Sequence, residues 1–303
     1  MAESLLILGG NGFIGRHVAK KGIEEGYKTF ILSKKSPLLS EKIKGVNYLQ
    51  IDLTSSKELE IIKNYKFNYV INLSGNINHC DIRNGGISVI EIHLNSLIKF
   101  ISILPKDHLN GFVQIGTSDE YGNTIGPQYE DQPEQPFTPY SYAKFAASHF
   151  IKYLFRSEEF PGKVLRPFLI YGPGQKENRL IPYVIKNSLK DKTFKISSGE
   201  QLRDFLYIKD AVDVIFAALT NKSINGKIVN IGSGKPLSVR YVVETIVNII
   251  GTGKPLFGSK NIRDGESLSL YPNIKFAKYA LSWESKYSLE EGLKDYIEFL
   301  KNK

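Results

Sequence analysis

Apolar residues in the first half of the chain come in short, nearly unbroken runs. Leu5–Leu8, Thr29–Leu32, Tyr69–Leu73, Phe112–Ile115 and Val164–Arg166 are of this kind. Runs of this length, bounded by turn residues, predict strands buried on both faces. The stretches between them carry helical spacing, and such alternation predicts a parallel sheet. Val229–Ile231 reads as a further strand returning to that sheet. From Val89 to Leu104, the residues Ile90, Leu94, Leu97, Ile98 and Ile101 share one helical face, which predicts a helix packed on the sheet or on a partner helix. Gly122 to Pro139 contains four prolines and several acids, and reads as a surface loop before a further helix. Beyond Pro167 the rhythm weakens and turn residues multiply. The expected division is a main α/β domain of residues 1–166 plus 210–236, and a smaller discontinuous domain of 167–209 plus 237–303.

The first run leads into Gly9-Gly10-Asn11-Gly12-Phe13-Ile14-Gly15. Strand, glycine turn and helix in this order suit a dinucleotide pyrophosphate, because backbone without side chains can approach it and the helix N-terminus favours its charge. The plain alternative is a tight turn that only packs helix on strand. The second run ends in Ser33-Lys34-Lys35. Sites for NAD usually carry an acid there for the ribose 2′-hydroxyl. Here no carboxylate repels a 2′-phosphate, Ser33 can hydrogen-bond one and either lysine can pair with it. The chain therefore reads as an NADP site in preference to an NAD site, unless both lysines are merely solvated.

Tyr140 and Lys144 stand four residues apart in Pro-Tyr-Ser-Tyr-Ala-Lys, on one helix face. An ammonium beside a phenol lowers the phenol from its usual ~10. Such a phenol can give or take a proton beside a carbonyl or alcohol. With the dinucleotide loop, this describes a redox reaction. Tyr142 lacks a lysine at the same spacing.

These motifs together resemble the extended short-chain dehydrogenase/reductase family, specifically its nucleotide-sugar branch, and the resemblance covers essentially the whole chain. It implies a Rossmann-type doubly wound sheet. It implies cofactor contacts from Gly9, Gly12, Phe13, Ile14 and Gly15, from the pair Asp52-Leu53 and from the turn at Leu73-Ser74. Asn95, Tyr140 and Lys144 would complete that set. Thr117, four residues before the Tyr121-Gly122 pair, would be the third catalytic residue with Tyr140 and Lys144, and Ser118 is its near alternative. Arg203 and Arg263 lie in segments that resemble diphosphate-binding elements. The run containing Asn178 and Arg179 resembles the nucleotide-facing segment of bacterial 4-keto-6-deoxy sugar nucleotide reductases of the CDP-abequose synthase type.

One departure bears on activity. Sugar 4,6-dehydratases of this family often carry Thr-Asp-Glu, whereas this chain reads Thr117-Ser118-Asp119-Glu120, so the acids are shifted by one residue. That order is closer to 4-keto-6-deoxymannose reductases. The resemblance thus implies an NADPH-dependent reductase of the C4 keto group of a nucleotide-diphosphate sugar, with Ser118 and Asp119 near the sugar. A 4-epimerase or a 4,6-dehydratase keeping bound NAD is the alternative, and a dinucleotide-bound scaffold a remote one. Related enzymes pair the two helices carrying Leu97 and Lys144 across dimers, which implies a homodimer.

Composition narrows the rest. The 303 residues carry a net charge of +9, but the lysines are scattered without a basic stripe, so no nucleic-acid partner is expected. No apolar run approaches the ~18 residues of a membrane span, and no signal peptide is read before the glycine loop. A single cysteine, Cys80, excludes an internal disulfide and suits a reducing cytoplasm. The five histidines and one cysteine show no metal-ligand spacing, so no metal is expected.

Overall fold

The computed structural model describes residues 2–75, 77–261 and 267–302. In chain order the first elements are β1 (Ser4–Leu8), α1 (Phe13–Glu24), β2 (Lys28–Ser33), β3 (Asn47–Gln50), α2 (Ser56–Leu59) and β4 (Tyr69–Asn72). There follow α3 (Ile87–Ile90), α4 (Ser96–Ile103), β5 (Gly111–Ile115), α5 (Pro139–Glu158) and β6 (Gly162–Pro167). Next come β7 (Leu169–Tyr171), α6 (Leu180–Ser188), β8 (Thr193–Lys195), β9 (Leu202–Tyr207), α7 (Ile208–Thr220) and β10 (Ile228–Ile231). The last are β11 (Pro236–Ser238), α8 (Val239–Ile250), β12 (Lys254–Leu256), β13 (Ser269–Leu270), α9 (Lys275–Leu281) and α10 (Leu289–Lys301).

The main sheet has seven strands in the order β10-β6-β5-β4-β1-β2-β3. Pairing from β3 to β6 is parallel throughout. This is the doubly wound arrangement, and the order reverses between β1 and β4, where crevices at the carboxyl ends of strands take ligands. The residues of β1, β4 and β5 are almost wholly buried, which explains why they lack polar alternation. Leu6, Val70 and Phe112 of the sheet pack in one core with Leu97, Phe100 and Ile151 of the covering helices. β3 escaped the sequence reading because its Asn47-Tyr48-Leu49-Gln50 is polar at both ends and only partly buried between, as suits an edge strand.

The helix expected over residues 89–104 is longer and less regular. Its backbone winds from Ile82 to Ile103. Turns of i→i+5 type at Ile82–Gly86 and Glu91–Asn95 interrupt α3 and α4. By length and composition this segment could cross a bilayer, contrary to the expectation that none could. Its inward residues Leu97, Phe100 and Ile101 lie in the core just described. Ile98, assigned to the packed face, is 39% exposed.

Two compact units divide the chain. One holds Met1–Glu120, Pro136–Arg166 and Val212–Val229; the other holds Tyr121–Gln135, Pro167–Ala211 and Asn230–Lys303. In the second, β11 and β13 flank β9, and β7 also pairs with β9. Residues 121–135, read with the main domain, cluster with the second unit. Gln128 explains this: its amide donates to the Tyr271 carbonyl at 2.9 Å and its side chain to the Ser269 carbonyl at 3.0 Å. Residues 230–236 go the same way, as the Asn230 amide donates to Glu130 at 2.9 Å.

Candidate active site

The loop after β1 is closely packed at three of its four glycines. Gly9 takes φ +73, and a Cβ there would meet the Leu73 carbonyl oxygen at 2.8 Å, so the turns after β1 and β4 touch. A Cβ on Gly10 would strike Ile31 at 2.5 Å, and one on Gly15 would strike the Gly10 backbone at 2.5 Å. These glycines bring α1 down onto the sheet. Gly12 differs: it is exposed, precedes α1 and has free space at its Cβ direction down to 3.4 Å. An exposed backbone cradle at a helix N-terminus fits a dinucleotide pyrophosphate. Phe13 and Ile14 form the first helical turn and are half-buried.

At the end of β2, Asn11 donates to Ser33 Oγ at 2.7 Å and to the Lys35 carbonyl at 2.8 Å, tying this strand end to the glycine loop. Ser33 Oγ donates to the same carbonyl at 2.8 Å. Lys34 pairs with Asp52 at 2.7 Å, while Lys35 is exposed. The Lys34 ammonium, helped by the Thr54 amide, holds the Asp52 carboxyl down at about 2. Leu53 beside it is half-buried. Past β4, the Ser74 amide and hydroxyl both donate to Asn72, at 3.0 and 2.6 Å, which fixes the turn that includes Leu73.

Tyr140 and Lys144 enter on the first turns of α5. Thr138 and Ser141 form a reciprocal capping box and Pro139 takes the first helical position, so the helix start is fixed where the pair needs it. Tyr140 is 4% exposed and Lys144 5%, whereas Tyr142 is 50% exposed and points elsewhere. Lys144 Nζ donates to the Ile115 carbonyl at the end of β5 at 2.8 Å. Burial pushes its ammonium down to about 8, against an opposing pull from Glu120. Two imidazoles meet the Tyr140 ring edge-on, His79 at 5.4 Å and His93 at 5.2 Å between centroids.

Thr117 and Ser118 follow β5 and are nearly buried. Thr117 Oγ1 accepts from the Asp119 amide at 3.3 Å. Asp119 lies 3.7 Å from His79 Nε2. Glu120 turns the other way. Its Oε1 accepts from the Thr117 amide at 2.8 Å, and its Oε2 accepts from Arg166 Nε at 3.1 Å and Nη2 at 2.7 Å. Both side chains of this ion pair are fully buried. A Cβ on Gly116 would lie 2.5 Å from Glu120 Oε1, so the glycine before Thr117 is what lets the carboxylate fold back.

The remaining sequence-derived residues that are described lie on separate elements. Asn95 is exposed and donates to Glu91 at 2.7 Å; His93 takes the buried position instead. Asn178 is exposed, and Arg179 is half-buried just before α6. Arg203, on β9, is 5% exposed and donates to the Leu202 carbonyl at 2.8 Å. Arg263 lies outside the described residues. Sequence reasoning missed His79, His93 and the Glu120–Arg166 pair. Only the last left a signal, a glutamate one residue past the usual acid positions.

Residues 5–232 match the model of the NAD dependent epimerase/dehydratase family. The UDP-glucuronate 4-epimerase of Thermodesulfobacterium geofontis is 28% identical over 315 residues, covering 98% of this chain and 95% of that protein. The human dTDP-D-glucose 4,6-dehydratase is 24% identical over 319 residues, covering 98% and 90%. Among solved structures, a UDP-glucose 4-epimerase from Thermotoga maritima, with UDP-glucose, superposes with a TM-score of 0.89 at 24% identity, covering 99% of each chain.

Proposed function

The chain belongs to the NAD dependent epimerase/dehydratase family, and from that membership we propose that it reduces the C4 keto group of a nucleotide-linked 4-keto-6-deoxyhexose with NADPH. When bound, the nicotinamide supplies the hydride at C4. Tyr140 hands its proton to the oxygen on that carbon, Lys144 stabilises the phenolate left behind, and Thr117 orients the oxygen. Asp119, with Ser118, lines the same turn and faces the sugar.

The observation that carries this reading is the placement of Glu120. Elimination of water from C5 and C6 needs one group to take the proton and another to help the hydroxyl leave. Glu120 is withdrawn into a fully buried ion pair with Arg166, which leaves Asp119, itself 3.7 Å from His79, as the one remaining carboxylate of this turn. Proton transfer at C4 alone needs only Thr117, Tyr140 and Lys144. The Lys34–Asp52 pair at 2.7 Å favours a second reading, a 4-epimerase retaining NAD, because it leaves only Ser33 and Lys35 for a 2′-phosphate. NADPH absorbance separates the two: it falls in step with alcohol formed by a reductase and stays constant through epimerisation or dehydration.

The substrate diphosphate is assigned to Arg203 and Arg263, with Asn178 and Arg179 toward the nucleotide. Arg203→Ala should raise the sugar-nucleotide KM ~30-fold, the loss of one charge-assisted hydrogen bond, with NADPH affinity unchanged. An unchanged KM would remove Arg203 from the substrate site. The molecule is proposed to work as a homodimer through α4 and α5, on whose outer surface Ile98 and Tyr153 are 39% and 52% exposed.

A further inference from the structure

We infer that His93 is a positioning residue of Tyr140, its imidazole wedged between the Gly75 turn and the phenol ring so as to fix the direction of the hydroxyl. The inference rests on Tyr140 as the proton donor. It begins with the i→i+5 turn at Glu91–Asn95. Val89, His93, Leu97 and Ile101, spaced four residues apart, are all buried. Asn95 is carried outward to Glu91, and His93 faces inward at 4% exposure.

The space that His93 fills exists because residue 75 has no side chain. A Cβ on Gly75 would lie 2.0 Å from the imidazole Cε1 and 2.5 Å from Nδ1. The imidazole thus lies flush under a turn whose φ of +101 itself favours glycine. Its other side meets Tyr140 at 5.2 Å and 75°. His79 also meets Tyr140, at 5.4 Å and 81°, with Asp119 3.7 Å from its Nε2. Two imidazoles thus brace the phenol, and His93 is the buried one. Edge-on aromatic contacts are directional, so they restrict the ring where bulk apolar packing would let it tilt. A single misdirected donor slows proton transfer without weakening binding.

The test compares His93→Ala with Tyr140→Phe and with the double variant. His93→Ala should lower kcat about tenfold, with the sugar-nucleotide KM and dinucleotide affinity within about twofold of wild type. In the Tyr140→Phe background it should cost nothing further, since a brace has no effect once its hydroxyl is gone. A second arm needs no turnover. In protein labelled with 13C at tyrosine Cζ, the Tyr140 signal, identified by its loss in Tyr140→Phe, should shift in His93→Ala. An unmoved signal, a rate loss that adds to that of Tyr140→Phe, or a loss confined to dinucleotide affinity would each overturn the inference. If the proposed reductase reaction fails, the resonance still reports on the brace. His93→Asn, which keeps a planar polar group in the same space, provides the same readouts should the alanine variant not fold.

Discussion

In the proposed reaction Tyr140 and Lys144 carry the chemistry, through one spacing and two burials. Tyr140→Phe should lower turnover ~100-fold or more, while dinucleotide affinity, measured by titration, stays the same. Near-full activity would show that another group supplies the proton. Lys144 adds a pH dependence. Its ammonium is pushed down to about 8 by burial, against ~10.4 in an unfolded chain. Between those values the unfolded chain holds more protons than the folded one, so this group's contribution to stability rises with pH across the window. Reductive turnover should move the opposite way, falling as pH rises through about 8, because a neutral amine no longer stabilises the phenolate. A pH–rate profile should show this limb in the wild type and lose it in Lys144→Met; a limb that persists in the variant belongs to another group. The pair was legible in the sequence because four-residue spacing survives folding unchanged. His93 was not: it shares the buried face of Val89 and Leu97, but its contact with Tyr140 joins segments distant in sequence, and no local pattern shows it.

At the scale of elements, the turn from Gly116 to Tyr121 links the sheet to the site. Glu120 joins the Thr117 amide to Arg166 of β6 within the first unit. A buried pair that loses one charge leaves the other uncompensated. Glu120→Gln should therefore destabilise the protein by about 3–5 kcal/mol in chemical denaturation. A change near zero would mean that the carboxylate is not committed to the pair and is available for chemistry. The glycine loop was readable because its glycines answer to local steric limits: the Gly10 and Gly15 positions admit no Cβ. The end of β2 was half readable. Ser33, Lys34 and Lys35 stand where expected, but the pairing of Lys34 with Asp52 joins residues distant in sequence, and no local pattern shows it. Ser33→Asp should shift preference from NADPH toward NADH, by repelling a 2′-phosphate; unchanged selectivity would place that phosphate elsewhere.

The parallel pairing of the main sheet followed from the alternation of apolar runs and helices, since parallel strands require such crossovers; the order of its strands did not. The membership of residues 121–135 did not follow, because Gln128 finds its partners at Ser269 and Tyr271, more than a hundred residues on. Assembly is a property of the whole molecule. If α4 and α5 form a symmetric interface, light scattering should give twice the 34.2 kDa chain mass, and Ile98→Asp with Tyr153→Asp should return the single-chain mass. A wild type that already scatters as one chain would contradict the dimer. The most direct test of the account is the fate of NADPH on mixing the protein with a panel of nucleotide-linked 4-keto-6-deoxyhexoses. The absorbance of the reduced nicotinamide should fall mole for mole with the 4-hydroxy sugar produced, and NADH should substitute poorly. Interconversion of C4 epimers, or loss of water from a 4-hydroxy sugar, with that absorbance constant would contradict it.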